Sequence, residues 1–180
     1  MSARPVASFE HYGIAPFEVE ALFSILNGPF YVYEKQVEHM DENYACMIEI
    51  NFQVEFNEDF FETIGHKRWD NITFLIKETR RRTGKKGVRL IMHFIGSPAL
   101  SFTIAMHDEN LFEFALEKLE ILNELISLQT DQKRLPGDVS EVQYEFDTDK
   151  SKWYPRRALG NGTKYSYEDG EWTIHIETEL

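Results

Sequence analysis

The chain has 180 residues, 42% of them apolar and 28% charged, which is the composition of an ordinary globular protein rather than a disordered one. Its single cysteine, Cys46, excludes an internal disulfide, and no stretch approaches the roughly 18 consecutive apolar residues of a membrane-spanning helix. The formal net charge of −12 disfavours general binding to nucleic acid or to anionic membranes.

The charge is distributed unevenly along the chain. Between His66 and Gly96, nine Lys and Arg residues stand against two acids, so this segment carries +7 and the remainder −19. The first residues, from Met1 to His11, contain no apolar run that resembles a signal peptide. We therefore expect a cytoplasmic protein, in a reducing compartment that suits a lone thiol.

The first part of the chain predicts a helix and then two strands. Pro16 and Asn27-Gly28 delimit a helix over about 17–26. An extended run follows at 30–37, and apolar and polar residues alternate strictly over 46–56, which predicts a strand. We expect these two strands to pair as an antiparallel hairpin.

Two helices and a second hairpin are predicted next. Asn57 is suited to cap a short helix, and a longer helix is predicted over about 68–82. The run 88–95 is largely apolar on both faces, which is typical of a central strand. Its expected hairpin partner lies at 100–106.

The longest predicted helix begins after Asp108 and covers about 109–129. Apolar residues occupy roughly two-thirds of its circumference when they are placed at 100° intervals. The apolar stripe of an ordinary surface helix is narrower. We therefore expect this helix to be covered on two sides, by the sheet and by something else.

The C-terminal part predicts further strands. Val142, Tyr144 and Phe146 alternate with polar residues and indicate a strand. The last 20 residues predict a hairpin around the turn Asp169-Gly170. Its two arms carry Tyr165 and Tyr167 on one side and Trp172, Ile174 and Ile176 on the other.

These elements predict an α+β fold in which an antiparallel sheet carries its helices on one face. Residues of about 44–147 have the order βαββαβ of a ferredoxin-like sandwich, with an N-terminal α-β addition and a C-terminal β-hairpin. The alternative is a duplicated αββ unit. We expect a single α+β domain over 1–180, with a core of about 14–147 and a hairpin extension of about 148–180.

Six cations lie close together where the second long helix ends and the next strand begins: Arg80, Arg81, Arg82, Lys85, Lys86 and Arg89. This basic cluster could bind phosphate, because arginine can hold a phosphate through two parallel hydrogen bonds. It is equally typical of a helix C-terminus, where cations are favoured by the helix dipole. The Gly84-Lys85 pair lacks the flanking residues of a nucleotide-hydrolase phosphate loop.

The longest helix carries an acidic ribbon whose members recur at spacings of three and four and therefore share one edge: Glu109, Glu113, Glu117, Glu120 and Glu124. A run of charge on a helix is usually a solvated surface. The alternative interpretation is a docking surface for a basic partner.

Aromatic residues recur among cations in the C-terminal tail: Trp153, Tyr154, Tyr165, Tyr167 and Trp172. Aromatic side chains beside cations can stack on nucleic-acid bases. Many acids lie in the same segment, however, and they favour packing or protein contact instead.

The sequence contains no recognisable catalytic or metal-binding pattern. The six histidines are scattered, whereas metal sites use short repeat spacings. Cys46 lies on the apolar side of its predicted strand, and His93 shares a strand face with Ile91 and Ile95, so both are interpreted as core residues. We expect no catalytic residue, metal or cofactor.

The function predicted from these observations is that of a non-enzymatic protein-binding module. Contacts with a partner are expected at the acidic ribbon and at Trp153 and Tyr154 of the aromatic tail. The wide apolar surface of the longest helix also allows a homodimer. The alternative function is binding of nucleic acid or a nucleotide phosphate through residues 80–89, and no membrane partner is expected.

Overall fold

Nine strands and four α-helices in the described part of the chain form one sheet with a layer of helices. The structure is a computed structural model that describes residues 3–131 and 133–175. The strands are β1 (Val6–Tyr12), β2 (Tyr31–Gln36), β3 (Cys46–Phe52), β4 (Val88–Phe94), β5 (Ala99–Met106), β6 (Glu141–Asp147), β7 (Lys152–Gly160), β8 (Thr163–Glu168) and β9 (Glu171–Ile174). The helices are α1 (Pro16–Leu26), α2 (Glu58–Ile64), α3 (His66–Thr83) and α4 (Glu109–Gln129), and a 3₁₀ turn at Gly84–Lys86 follows α3.

The sheet is mixed, with the strand order β2-β1-β3-β4-β5-β6-β7-β8-β9. Three neighbouring pairs are parallel, β1 with β2, β3 with β4 and β5 with β6, and helices join the two strands of each pair. The other neighbouring pairs are antiparallel. The chain therefore forms three successive βαβ units and then a meander from β6 to β9.

All four helices lie on the same face of the sheet. Glu18 of α1 forms an ion pair with Arg82 of α3, and Lys77 of α3 forms one with Glu117 of α4. Each βαβ unit is a crossover connection that is either right-handed or left-handed. Because all the helices lie on one face, the order and directions of the strands make the hand of the β5-α4-β6 crossover opposite to that of the crossovers from β1 to β2 and from β3 to β4. Such crossovers are right-handed in about 98% of cases, so at least one here is of the uncommon hand.

An aromatic cluster fixes the short helix α2 against the centre of the sheet. Phe56, just before α2, has its ring centroid 4.9 Å from that of Phe94 and 4.6 Å from that of Phe102. Within α2, Phe60 contacts Phe52 of β3 edge to face at 5.0 Å. These tilted and edge-to-face pairs are the arrangements that aromatic rings prefer, and they add to the stability that burial provides.

The α+β class predicted from the sequence is confirmed, but the predicted antiparallel sheet is wrong, because three strand pairs are parallel. A ferredoxin-like core is not confirmed, since β3, β4, β5 and β6 lie side by side in chain order and the sheet is larger. The repeating unit is βαβ rather than the αββ of the alternative.

The hairpin expected between residues 30–37 and 46–56 is wrong, because β1 lies between β2 and β3. β1 was not predicted from the sequence. On the face of this strand that packs beneath the helices, only Ala7 and Phe9 are apolar, and the third residue is His11. Because so few residues on the buried face of this strand are apolar, the alternation of apolar and polar residues in its sequence is weak. The predicted strand at 46–56 also ends earlier, at Phe52.

β7 was missed as well, because Pro155 and a bulge opposite Gln143 and Tyr144 interrupt its alternation. The hairpin of β4 and β5 and the strand β6 are confirmed. The final hairpin is confirmed as β8 and β9, in which Tyr167 faces Trp172, while the predicted position of Ile176 lies outside the described residues. No helix in the described ranges is long and apolar enough to cross a membrane.

Candidate functional site

The residues of the basic cluster point in different directions. Arg80 is 2% exposed, and its guanidinium donates hydrogen bonds to the carbonyls of Gly84 (2.6 Å) and His107. Arg89 lies on the sheet face without helices, where it forms an ion pair with Asp41 at 3.3 Å. Arg80 therefore stabilises the end of α3 from inside and is not available at the surface.

Arg81 and Arg82 are held by acids of neighbouring helices. Arg81 forms an ion pair with Glu113 of α4 at 3.0 Å and another with Glu78 of its own helix. Arg82 donates two hydrogen bonds to the carboxylate of Glu18, at 3.0 and 2.7 Å. Both guanidinium groups thus have anionic partners within the chain.

Four members of the cluster are exposed, and Arg81 and Arg82 are held in ion pairs, so Lys85 and Lys86, on the 3₁₀ turn after α3, are the exposed members that remain. Neither forms an ion pair with any residue that the structure describes. Of the six cations predicted to bind an anion, only these two lysines are exposed and without an ion pair to any described residue.

The acidic ribbon of α4 faces the basic side of α3. Its ion pairs join Glu113 to Arg81 at 3.0 Å and Glu117 to Lys77 at 2.6 Å, and the carboxylate of Glu120 lies 3.2 Å from the imidazole of His66. The two charged segments singled out in the sequence are therefore partners of each other across an antiparallel helix pair. Glu124 has no ion pair within the described ranges and stays exposed.

Glu120 and Glu124 also line a cavity of about 670 Å³ at the far end of the ribbon. Phe56, Phe61 and Ile126 give this acidic cavity an apolar base. Its carboxylates come from α4 and from the segment around α2: Glu55, Glu58, Glu62, Glu120 and Glu124. The side chain of His66 is the one imidazole in this lining.

A row of apolar side chains on α4 faces solvent on the side away from α3. We call it the outer stripe: Phe114 (37% exposed), Ile121 (59%), Leu125 (49%) and Leu128 (61%). The spacings of seven, four and three place these residues on one side of the helix. The excess of apolar surface predicted for this helix is therefore real. Phe114 is partly covered by Phe146 and by the ammonium group of Lys118, whereas Ile121, Leu125 and Leu128 are uncovered.

Trp153 belongs to the core and not to the surface. It is 6% exposed, and its indole N–H donates a hydrogen bond of 3.0 Å to the carbonyl of Ala115 in α4. Its ring lies edge to face with Phe102 and Phe146. Trp153, which was predicted to contact a partner, thus contacts residues of its own chain.

Tyr154 lies at the edge of a cleft of about 660 Å³ between the end of α4 and the C-terminal strands. We call it the aromatic cleft, because Tyr154, Tyr167 and Trp172 line it above Trp153 and Pro155. Its polar lining consists of Gln129, Arg134, Lys150, Lys152 and Asp169. The hydroxyl of Tyr154 donates a hydrogen bond to the carbonyl of Tyr167 and so joins β7 to β8.

Two polar atoms at this end of the fold are buried without a partner in the described structure, Oε1 of Gln129 and the hydroxyl of Tyr144. Tyr144 is 1% exposed, and burial, reinforced by Tyr167, raises the pKa of its phenol far above the usual range. The hydroxyl is therefore a neutral donor at any physiological pH. Most buried polar groups have a hydrogen-bond partner, so each of these two atoms is an exception.

One pair of titratable residues was not foreseen from the sequence. His93 of β4 and Glu49 of β3 lie 2.8 Å apart on the sheet face without helices, and the hydrogen bond to His93 is the main reason that the pKa of Glu49 is lowered. The two residues are 44 positions apart in the chain, so only the parallel pairing of β3 and β4 brings them together. No cluster of three or more potential metal ligands occurs among the residues described.

Comparison of the chain with protein-family models, with curated proteins and with solved structures finds no match.

Proposed function

We propose that this chain is a protein-binding module whose partner docks on the outer stripe of α4. The observation that carries the proposal is the exposure of Ile121, Leu125 and Leu128 as a continuous apolar row on the longest helix. Apolar patches of this kind on a globular protein typically mark interaction sites. An amphipathic helix is a natural occupant, because it lays its own apolar residues along such a row.

The charge around the outer stripe favours a basic partner. Glu124 is next to Leu125 in the chain, is one helical turn from Leu128, and has no ion pair in the described structure. Glu117 and Glu120 keep 59% and 42% of their side chains exposed beside it. A chain of net charge −12 also attracts basic proteins at long range and so speeds their encounter.

A second copy of the chain is a less favourable occupant of this surface. A symmetric dimer through α4 would bring two acidic ribbons towards each other, and like charges facing across an interface cost free energy. Light scattering distinguishes the two cases: we expect the purified protein to be monomeric. A dimer that the substitutions below dissociate would assign the outer stripe to self-association.

The first test uses a synthetic amphipathic peptide with leucines along one face and lysines on its flanks. We expect it to bind the wild-type protein in a fluorescence-anisotropy titration. The double substitution Ile121→Gln and Leu125→Gln should weaken binding about tenfold or more, because a few residues at the centre of an interface carry most of the binding energy. Glutamine preserves helix propensity and adds no charge.

Two controls accompany this test. Phe74→Gln removes an equally exposed apolar residue from α3, outside the outer stripe, and should leave peptide binding unchanged. A peptide with glutamates in place of the lysines should bind more weakly than the basic one. Equal binding of both peptides, or undiminished binding by the double variant, would contradict the proposal.

The alternative proposal, phosphate or nucleic-acid binding at residues 80–89, rests on Lys85 and Lys86. The substitutions Lys85→Glu and Lys86→Glu remove the exposed charges without touching a described ion pair. If this alternative holds, the double variant should lose a nucleic-acid affinity that in the wild type falls steeply with salt.

A further inference from the structure

The aromatic cleft has the shape of a ligand site. Its volume of about 660 Å³ lies within the range of roughly 300–1,000 Å³ that small-molecule sites occupy. Such sites combine aromatic walls with a few converging polar groups. The cleft shares no residue with the outer stripe of α4.

Three aromatic rings form a ladder across the strands of this cleft. The ring centroids of Tyr154 and Tyr167 are 5.4 Å apart, and those of Tyr167 and Trp172 are 5.0 Å apart. Tyr167 and Trp172 are only half-buried, so part of their ring surface faces the cleft. A flat aromatic ligand can stack on this surface, as bases do on aromatic side chains.

The rim of the cleft is positive in a chain that is negative overall. Arg134 and Lys152 are exposed and have no ion pair within residues 3–131 and 133–175. Lys150 is only loosely paired, 3.9 Å from Asp147, and Asp169 is the single acid in the lining. Two unpaired cations beside aromatic rings suit a phosphate attached to an aromatic group.

Gln129 supplies an independent indication of a ligand. Gln129 lines the cleft from α4, and its Oε1 atom is buried and accepts no hydrogen bond in the described structure. A buried acceptor without a partner is unfavourable. A rotation of the side chain towards the cleft would let an amino group on the ligand donate a hydrogen bond to this oxygen.

We infer that the aromatic cleft binds a nucleotide unit. The base stacks on Tyr167 and Trp172, its exocyclic amino group donates to Oε1 of Gln129, and the phosphate pairs with Arg134 and Lys152. The unit is either a free nucleotide or one residue of a single strand, since both present the same base and phosphate. This site is separate from residues 80–89.

The test is a titration of the full chain followed by tryptophan fluorescence, because Trp153 and Trp172 both line the cleft. The probes are AMP, ATP, inorganic phosphate and a short single-stranded oligoadenylate. We expect AMP or ATP, or the oligoadenylate, to quench the fluorescence saturably, and inorganic phosphate alone to bind at least tenfold more weakly. Preference for AMP and ATP identifies a free nucleotide, and preference for the oligoadenylate identifies a single strand.

Matched charge reversals localise the site. Arg134→Glu with Lys152→Glu should weaken binding at least tenfold, while Lys85→Glu with Lys86→Glu should leave it unchanged. All four side chains are exposed, so circular dichroism should show that both double variants fold. Trp172→Ala should also abolish binding, because it removes the stacking surface.

Three outcomes would overturn the inference. The first is absence of quenching by AMP, ATP and the oligoadenylate at millimolar concentration. The second is undiminished affinity in the Arg134 and Lys152 variant. The third is loss of binding in the Lys85 and Lys86 variant, which would place the anion site in the basic cluster. None of them affects the outer stripe, whose test uses a peptide and different residues.

Discussion

At the scale of single residues, Arg80 shows how a cation predicted for the surface can serve the interior. Its guanidinium reaches two backbone carbonyls, one just after α3 and one before α4. Its Nε atom is buried without a partner, and no described acid pairs with the group. The side chain thus ties the end of α3 to the loop that enters α4, the helix that carries the outer stripe.

We predict that Arg80→Met lowers the free energy of unfolding by about 2–4 kcal/mol, because methionine keeps the aliphatic stem but removes the charged donor from the carbonyls of Gly84 and His107. Urea unfolding at neutral pH measures this change. The neighbouring substitution Arg81→Met should have little effect, since its ion pairs are exposed to solvent. Equal destabilisation by the two substitutions would contradict the structural role assigned to Arg80.

Glu18 is a second residue whose environment predicts a measurable effect. Burial alone would raise the pKa of this carboxylate, but hydrogen bonds from Arg82 and from the backbone N–H of Ala15 (2.7 Å) outweigh it and hold the pKa below its usual value. A lowered pKa in the folded state means that the ionised carboxylate stabilises the fold above the unfolded pKa of about 4.3. That contribution is lost as the pH falls through the folded pKa.

We therefore expect Glu18→Gln to cost about 2 kcal/mol at neutral pH, the magnitude of a hydrogen bond to a charged group. The difference from the wild type should shrink as the pH is lowered below about 4. Urea unfolding at several pH values between 7 and roughly 3 measures both quantities. Glu20→Gln, at an exposed position of the same helix, is the control, and a Glu18 effect independent of pH would be inconsistent with this assignment.

At the scale of secondary-structure elements, α3 and α4 form a charge-matched antiparallel pair. Contacts run from His66 with Glu120 at one end to Arg81 with Glu113 at the other. Each helix alone has like charges along one edge, which disfavours the isolated helix. When α3 and α4 pack side by side, the acidic edge of one attracts the basic edge of the other. The outer stripe of α4 remains on the side of the helix that does not contact α3.

We predict that Lys77→Glu destabilises the protein and that adding Glu117→Lys restores part of the loss. The exchange recreates the ion pair with its charges reversed, and such pairs contribute roughly 0.5 kcal/mol. A double-mutant cycle followed by thermal unfolding measures the coupling. Lys67→Glu, an exposed position of α3 without a described ion pair, should show no coupling to Glu117, and equal coupling at both positions would refute a specific α3–α4 contact.

At the scale of the whole molecule, the helix layer is narrower than the sheet. The last helix, α4, packs against β5 and β7, and the sheet continues beyond them to β8 and β9. The aromatic cleft lies where this layer ends, between the end of α4 and the strands beyond it. The outer stripe is exposed because no further helix follows α4 in the described residues to cover it.

The local periodicity of the sequence determined the helices, the β4-β5 hairpin and the final turn. The breadth of the apolar face of α4 predicted a helix covered by the sheet and by a second element, whereas in the described structure Ile121, Leu125 and Leu128 on that second side are exposed. These features depend on residues that are close together in the chain. Apolar residues therefore recur with the period of 3.6 residues of a helix or of 2 residues of a strand, and this period predicts the element.

Only the tertiary structure decided which strands are neighbours and which charges meet. β1 lies between β2 and β3 although few of its residues are apolar. Its backbone N–H and C=O groups form hydrogen bonds on both sides, through parallel pairing with β2 and antiparallel pairing with β3. Lys77 and Glu117 are 40 residues apart, and Gln129 is 43 residues from Trp172, so no local pattern could join them. Contacts between distant residues depend on how whole helices and strands pack. The packing of α3 against α4 joins the acidic and basic surfaces in one interface, and the packing of the C-terminal strands beside α4 places the aromatic residues in a cleft.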